Sequence, residues 1–186
     1  TLAYLIPVVE ALKDRVVPRL RSIILAPTRP LVNQAYSTLL KLTKGFDLNV
    51  IALRSGESLR TEHDRFLNNH PDIVIATPGR LVDHILKYNL DLSQLRFLVV
   101  DEADRLLNQS FQNWCDVLVG KITSEQEDDS DSNSFYNRFR LRCIKVVLSA
   151  TLTTNSEKLS HLKLFKPNLV VINNSEKLVH ELYQLP

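Results

Sequence analysis

The chain has 186 residues, 44% hydrophobic and 24% charged, a balance that excludes collagen-like, fibrous or wholly disordered polypeptides and fits one domain with a sizeable core. Its apolar runs are a handful of residues long, far short of the roughly 20 needed to cross a bilayer, and no charged-then-apolar leader opens it. Formal charge is +2, but Glu125, Glu127, Asp128, Asp129 and Asp131 crowd one Ser/Asn-rich stretch, leaving a basic remainder suited to a phosphate-bearing partner.

In chain order, Leu2, Ile6, Val9 and Leu12 recur at helical spacing and predict one buried helix face. Residues 22–26 (SIILA) predict a buried strand stopped by Pro27. Leu31, Ala35, Leu39 and Leu42 mark the next helix, closed by Gly45. Residues 48–53 predict a strand, 54–57 a loop containing Gly56, and 58–69 a polar surface helix. The strand 72–76 (DIVIA) runs into a Thr-Pro-Gly turn and a helix carrying Leu81, Ile85 and Tyr88. A strand over 96–100 precedes an acidic cluster, and 111–122 is predicted helical, with Trp114 as packing. Residues 124–137 lack apolar periodicity and predict a mobile acidic insertion. A strand over 143–148, a helix over about 155–162 and a last strand over 169–172 complete the pattern. Cys115 and Cys143 are too few for a disulfide scaffold and lack zinc-ligand spacing, so they read as buried free thiols of a reducing compartment. The five histidines are likewise scattered without metal-ligand spacing and read mostly as surface residues.

Strands alternating with helices predict an α/β fold, a parallel sheet with helices on both faces, as a single domain over 1–186 without internal repeats. In such a sheet every carboxyl end lies on one rim, where ligands bind. Four strand ends carry polar groups there: Pro27-Thr28-Arg29, Thr77-Pro78-Gly79-Arg80, Asp101-Glu102-Ala103-Asp104 and Ser149-Ala150-Thr151. Acids at the end of a buried strand are costly unless something cationic joins them. Asp101 can hold a hydrated Mg²⁺ while Glu102 activates a water. The competing reading is a charged helix start favoured by the helix dipole.

The order of these elements, PTR, an isolated Gly loop, TPGR, DEAD and SAT, resembles the first RecA-like domain of the DEAD-box RNA helicases over essentially the whole chain. The resemblance implies a RecA-like (P-loop NTPase) three-layer α/β/α fold, with ATP and Mg²⁺ as cofactors. It implies that Asp101 holds Mg²⁺ largely through water and that Glu102 is the base for the water attacking the γ-phosphate. It implies that Asp104, with Ser149 and Thr151, links ATP state to RNA grip; Thr151 is equally placed to cap the following helix. Thr28, Arg29, Gly56, Thr77, Pro78, Gly79 and Arg80 correspond to contacts with the RNA backbone, which read phosphate and sugar rather than bases. Thr77 before Pro78 has the form of an N-cap with proline at the first helical position. Arg80 alternatively pairs with Asp83 on the helix surface, and for Arg54 and Arg60 simple solvation is favoured. Thr43-Lys44 and the basic run 138–145 fit either RNA contact or solubilising charge.

Thr1, followed by Leu-Ala-Tyr-Leu-Ile-Pro, corresponds to the last residue of the family's Gly-Lys-Thr phosphate loop and thereby to a Mg²⁺ ligand. The rest of that loop and the adenine-reading segment are expected upstream, so the fragment alone is expected to be inactive. Two departures stand out: Pro30 where the family usually has Glu, and Ser55-Gly56 where it has Gly-Gly. The residues at 95–98, 152–153 and 157–159 resemble the nucleolar branch that assists ribosome assembly, which implies a nuclear, nucleolar address. Implied partners are RNA, a second RecA-like domain of the same polypeptide and ribonucleoprotein components, with no membrane. The rival function is a helicase-like scaffold that has lost catalysis.

Overall fold

The computed structural model describes residues 1–108, 113–127, 142–150 and 159–171. Its elements are α1 (Leu2–Leu12), β1 (Ser22–Leu25), α2 (Arg29–Leu42), β2 (Val50–Leu53), α3 (Leu59–Asn69), β3 (Ile73–Ala76), α4 (Pro78–Tyr88), β4 (Phe97–Val100), α5 (Ala103–Asn108), α6 (Trp114–Glu127) and β5 (Ile144–Val147). The strands form one parallel sheet in the order β2-β3-β1-β4-β5. Successive residues of a strand face opposite sides, and the core divides accordingly. Ile24, Ala52, Ile75 and Val99 pack under α1 and α2, whereas Leu25, Leu53, Val74, Ala76 and Val100 pack under α4 and α6. This is the predicted α/β/α sandwich, and its central strands β1 and β3 are buried at every residue.

Local signals set most boundaries. Gly45, at φ 96°, follows the end of α2 in the left-handed region that glycine tolerates. Ser58 caps α3 by accepting the Thr61 amide at 3.1 Å. At the amino end of the sheet, Asp72 is wholly buried; its Oδ1 accepts Arg15 Nε at 2.6 Å and its Oδ2 the Asn49 amide at 2.9 Å.

Several expectations need correction. In α1 the buried face is Tyr4, Leu5, Val8, Val9 and Leu12, while Leu2 and Ile6 are exposed. The helix is apolar on nearly every side, so two overlapping sets satisfy helical spacing and packing chooses between them. The second strand starts at Val50 rather than 48. Residues 169–171 form no strand, and Leu169 and Val170 are exposed; an apolar run makes a strand only where a neighbour offers a ladder. α6 runs on through Glu127, so the acidic insertion does not begin at 124. There the Glu125 carboxylate accepts the Leu92 amide at 2.6 Å and pairs with Lys121 at 2.7 Å. The remainder of the insertion and most of the helix predicted over 155–162 lie outside the described residues.

Trp114 is buried and donates Nε1–H to the Leu106 carbonyl, the expected packing role. Cys115 is buried, whereas Cys143 is half-buried rather than fully so. Burial pushes both thiols up to about 11, which keeps them protonated and unreactive near neutrality.

Candidate functional site at the carboxyl rim

The register decides what meets at the rim. Leu25 pairs with both Ala76 and Val100, Leu53 with Ala76, and Val100 with Val147. The residues one step beyond therefore form a single row: Arg54, Thr77, Ala26, Asp101 and Leu148. The Ala26 amide donates to the Ala76 carbonyl, Asp101 to Leu25 and Leu148 to Val100, so the ladder extends into the polar tails. The strand ends anticipated from sequence do converge.

Asp101 is half-buried. Its Oδ2 accepts the Tyr4 hydroxyl at 2.8 Å and its Oδ1 accepts the Glu102 amide at 3.0 Å. The Thr1 side chain also reaches the Tyr4 hydroxyl, placing Thr1, Tyr4 and Asp101 in one oxygen-rich cluster. Burial, reinforced by the Asp101 carboxylate, raises the Tyr4 phenol far above its ordinary range, so it stays a donor. Tyr4 was not anticipated as a site residue; only the tertiary contact reveals it.

Glu102 lies in the left-handed region at φ 51°. For a non-glycine residue such backbone costs about 1–3 kcal/mol and concentrates at functional sites. Its carboxylate sits 3.6 Å from Arg105 in an exposed ion pair, too weak to explain the strain. Asp104 opens α5 half-buried and Ser149 follows β5 on the surface, and neither is without a partner. Thr151 lies outside the described residues.

Thr77 is the N-cap residue of α4 with Pro78 in its first turn, as predicted, and Thr28 holds the same place at α2, with Pro30 in the first turn. Neither hydroxyl caps its own helix. Helix starts leave amide donors without intrahelical acceptors and attract anions, and here two point to the same rim. Arg29 is exposed beside them. A Cβ built on Gly79 would meet nothing within 4 Å, so the space beside the start of α4 is open there. Gly56 is exposed, its amide turned back onto the Arg54 carbonyl, and neither it nor Ser55 needs positive φ. Loss of the Gly-Gly pair therefore costs the loop nothing.

Arg80 does not make the surface pair with Asp83. Its Nε donates to Glu62 Oε2 at 2.7 Å and its Nη2 to the Glu57 carbonyl at 2.7 Å, with no part for Asp83. Glu62 is wholly buried although its helix reads as polar surface, and His84, read as a surface residue, is wholly buried against it at 3.1 Å. Arg54 is engaged as well, donating to Asn33 at 2.6 Å and lying 5.6 Å from the Tyr36 ring.

Burial above all holds His84 below the usual imidazole range, with Arg80 and His63 acting the same way against the pull of Glu62. Burial alone would raise Glu62, but Arg80, His84 and the Arg54 amide together hold it below the usual carboxylate range. As pH falls past 6.5, His84 of the unfolded chain takes up a proton that the folded site resists, so stability declines. The stability contributed by Glu62 is present above 4.5 and is lost as pH falls through its depressed folded value, which has the same sign. Thermal melts at constant ionic strength are expected to show Tm falling steadily as pH drops from 6.5 towards 4.5, with the upper part of that slope flattened in His84→Gln. A wild-type Tm independent of pH over this window would contradict the assignment.

Residues 1–159 match the DEAD/DEAH box helicase family. The chain is 50% identical, over its whole length, to proteins named ATP-dependent RNA helicase DBP6 from Lodderomyces elongisporus and Candida albicans, and spans 27% and 30% of their lengths. The Saccharomyces cerevisiae protein of that name is 48% identical, again over the whole chain, which spans 27% of it. Among solved structures, the yeast DEAD-box splicing factor Prp28 superposes with a TM-score of 0.68 at 30% identity, covering 86% of this chain and 35% of Prp28. Mss116p bound to ssRNA and AMP-PNP superposes at 0.67 with 27% identity, covering 87% of this chain and 31% of Mss116p.

Proposed function

The chain belongs to the DEAD/DEAH box helicase family, and on that premise we propose that it is the first RecA-like core domain of an ATP-dependent RNA helicase that remodels RNA duplexes or ribonucleoproteins. The observation that carries this reading is the strand register, which lays Asp101 and Thr77 in one row at the rim, with Glu102 and the starts of α2 and α4 beside them. Asp101, held in place by the Tyr4 hydroxyl, and Thr1 offer hard oxygen atoms of the kind Mg²⁺ prefers, and Mg²⁺ typically keeps several waters and takes only one or two carboxylates. Bound there, the ion would neutralise charge on the β- and γ-phosphates.

Within this frame Glu102 accepts the proton of the attacking water as its oxygen bonds the γ-phosphorus and the bond to the bridging oxygen breaks. The four glycines stand at 45, 56, 79 and 120, so the turn that cradles the triphosphate is not among these residues. Thr28, Arg29, Gly56 and the 77–79 turn hold an RNA backbone through amides, hydroxyls and one guanidinium, largely without regard to sequence. A second RecA-like domain of the same polypeptide closes over both ligands and bends one strand. We further place the protein in ribosome assembly, with a nucleolar address and ribonucleoprotein partners, on its resemblance to that branch. The strained, intact Glu102 favours an ATPase over a scaffold.

The test is phosphate release by the complete polypeptide that carries this domain. Single-stranded RNA is expected to raise hydrolysis well above the RNA-free rate; no stimulation would leave only the scaffold. Gly79→Ala isolates the RNA face, because the added methyl clashes with nothing in the domain yet occupies the open space through which a backbone would approach the start of α4. Its Tm should stay near wild type, while the RNA concentration for half-maximal stimulation rises by about three- to tenfold, roughly the worth of one hydrogen bond. Unchanged RNA dependence would remove this turn from the interface.

A further inference from the structure

Glu62 lies outside every strand-end motif, and yet its carboxylate bonds Arg80 of one of them, the rim residue Arg54 and His84. Its Oε1 accepts the Arg54 amide at 3.0 Å, at the head of the loop carrying Gly56. Its Oε2 accepts Arg80 Nε at 2.7 Å and faces His84 Nε2 at 3.1 Å, both on the helix that starts at Thr77. Arg80 then donates to the Glu57 carbonyl, closing the circuit back onto the Gly56 loop. Arg54 carries the chain of contacts onward to Asn33 and Tyr36 on α2, the helix that starts with Arg29. The Gly56 loop, the start of α4 and the first turns of α2 are thus joined by one continuous set of main-chain and side-chain contacts with a buried carboxylate at its centre.

A buried ion pair is weak evidence for stability, because desolvation offsets most of the attraction and apolar residues of similar volume often do as well. What such a pair fixes is geometry. A carboxylate with two defined oxygens, three donors and no access to water admits one arrangement of its neighbours.

We propose that Glu62 is a positioning residue that locks the α2 start, the Gly56 loop and the 77–79 turn into one rigid RNA-gripping unit, with Arg80 as its strut rather than a direct phosphate ligand. This rests on the reading of the rim as an RNA interface. Its consequence is energetic coupling: loosening the centre weakens every contact on the rim together, so losses at the centre and at the rim do not multiply.

The experiment measures the affinity of the complete polypeptide for an oligouridine at fixed salt, in wild type, Arg29→Ala, Glu62→Gln and the double variant, with circular dichroism confirming the fold of each. Arg29→Ala and Glu62→Gln are each expected to weaken binding by about tenfold, the scale of one charge-assisted hydrogen bond, and the double variant by clearly less than the product. Amide exchange at Arg54 should accelerate in Glu62→Gln, a local change that a general loss of stability would not confine to that loop. If Arg29→Ala weakens binding but Glu62→Gln does not, or if the two losses multiply, the positioning role is overturned while the RNA reading stands. If Arg29→Ala also binds as wild type, the RNA reading itself fails. Should Glu62→Gln not fold, His84→Ala, which removes one of the three bonds and keeps the charge pair, is expected to weaken binding about threefold; unchanged affinity there would equally overturn the proposal.

Discussion

Replacing Glu102 with Gln is expected to lower RNA-stimulated ATP hydrolysis by about 10²–10⁴-fold, the span supplied by a positioned general base, while RNA binding persists. The substitution keeps size, hydrogen-bonding reach and the left-handed backbone at φ 51°. It removes the negative charge, and with it the weak exposed pair to Arg105 and the ability to accept a proton from the attacking water. If Glu102 served merely as a charged residue at the start of α5, the loss would be limited to the fraction of a kcal/mol that a dipole interaction contributes, and hydrolysis would scarcely change. The two roles therefore differ by orders of magnitude in one assay, phosphate release at saturating RNA and ATP. Equal rates for Glu102→Gln and wild type would end the assignment. The backbone strain makes the prediction sharper, because about 1–3 kcal/mol held at one residue persists only where the surroundings enforce it. The Glu102 carbonyl accepts the Arg105 and Leu106 amides, and the Ala103 amide is tied to the Leu148 carbonyl on the neighbouring strand, which is how that enforcement arises.

The rim was legible in the sequence because it depends on short-range information. Apolar runs ending in polar tripeptides mark strand ends, and a parallel sheet brings strand ends to one side whatever their order. That argument reached Thr77, Gly79, Asp101 and Ser149 without knowing which strands were neighbours. It could not reach Glu62, since a carboxylate in a polar helix is indistinguishable from surface charge until Arg80 and His84, from a helix beyond the next strand, close over it. Tyr4 escaped for the same reason, its partner Asp101 being 97 residues away. Glu125 shows the converse failure. Composition placed it in a loop, whereas a specific bond to the Leu92 amide extends the helix. Periodicity sees faces and ends; it does not see which charge a buried partner will satisfy.

Asp72 is the most consequential residue of this unseen kind, and Asp72→Ala is expected to destabilise the domain by about 3–5 kcal/mol, the loss seen when one member of a buried ion pair is removed. Its side chain is wholly buried, as is nearly all of Arg15, and the guanidinium would be left underground with only the surface-exposed Asp47 to pair with. The Asn49 amide would lose its acceptor as well. The Asp72 main-chain carbonyl also receives the Arg21 and Ser22 amides, so the residue gathers the starts of β1, β2 and β3 at one point. Against a total stability of about 5–15 kcal/mol for a domain, that loss is a large fraction. In urea the midpoint should fall sharply with the slope unchanged, because the surface exposed on unfolding stays the same. Asp72→Asn, which keeps an acceptor for Asn49 but not the charge, should fall between. A midpoint for Asp72→Ala within experimental error of wild type would mean that Arg15 finds water or Asp47 at no cost. Asp72 stands at the amino end of β3 and Thr77 just beyond its carboxyl end, so RNA affinity per folded molecule should not change. The two edges of one sheet would then be separable by experiment, one holding the fold together and the other holding the ligands.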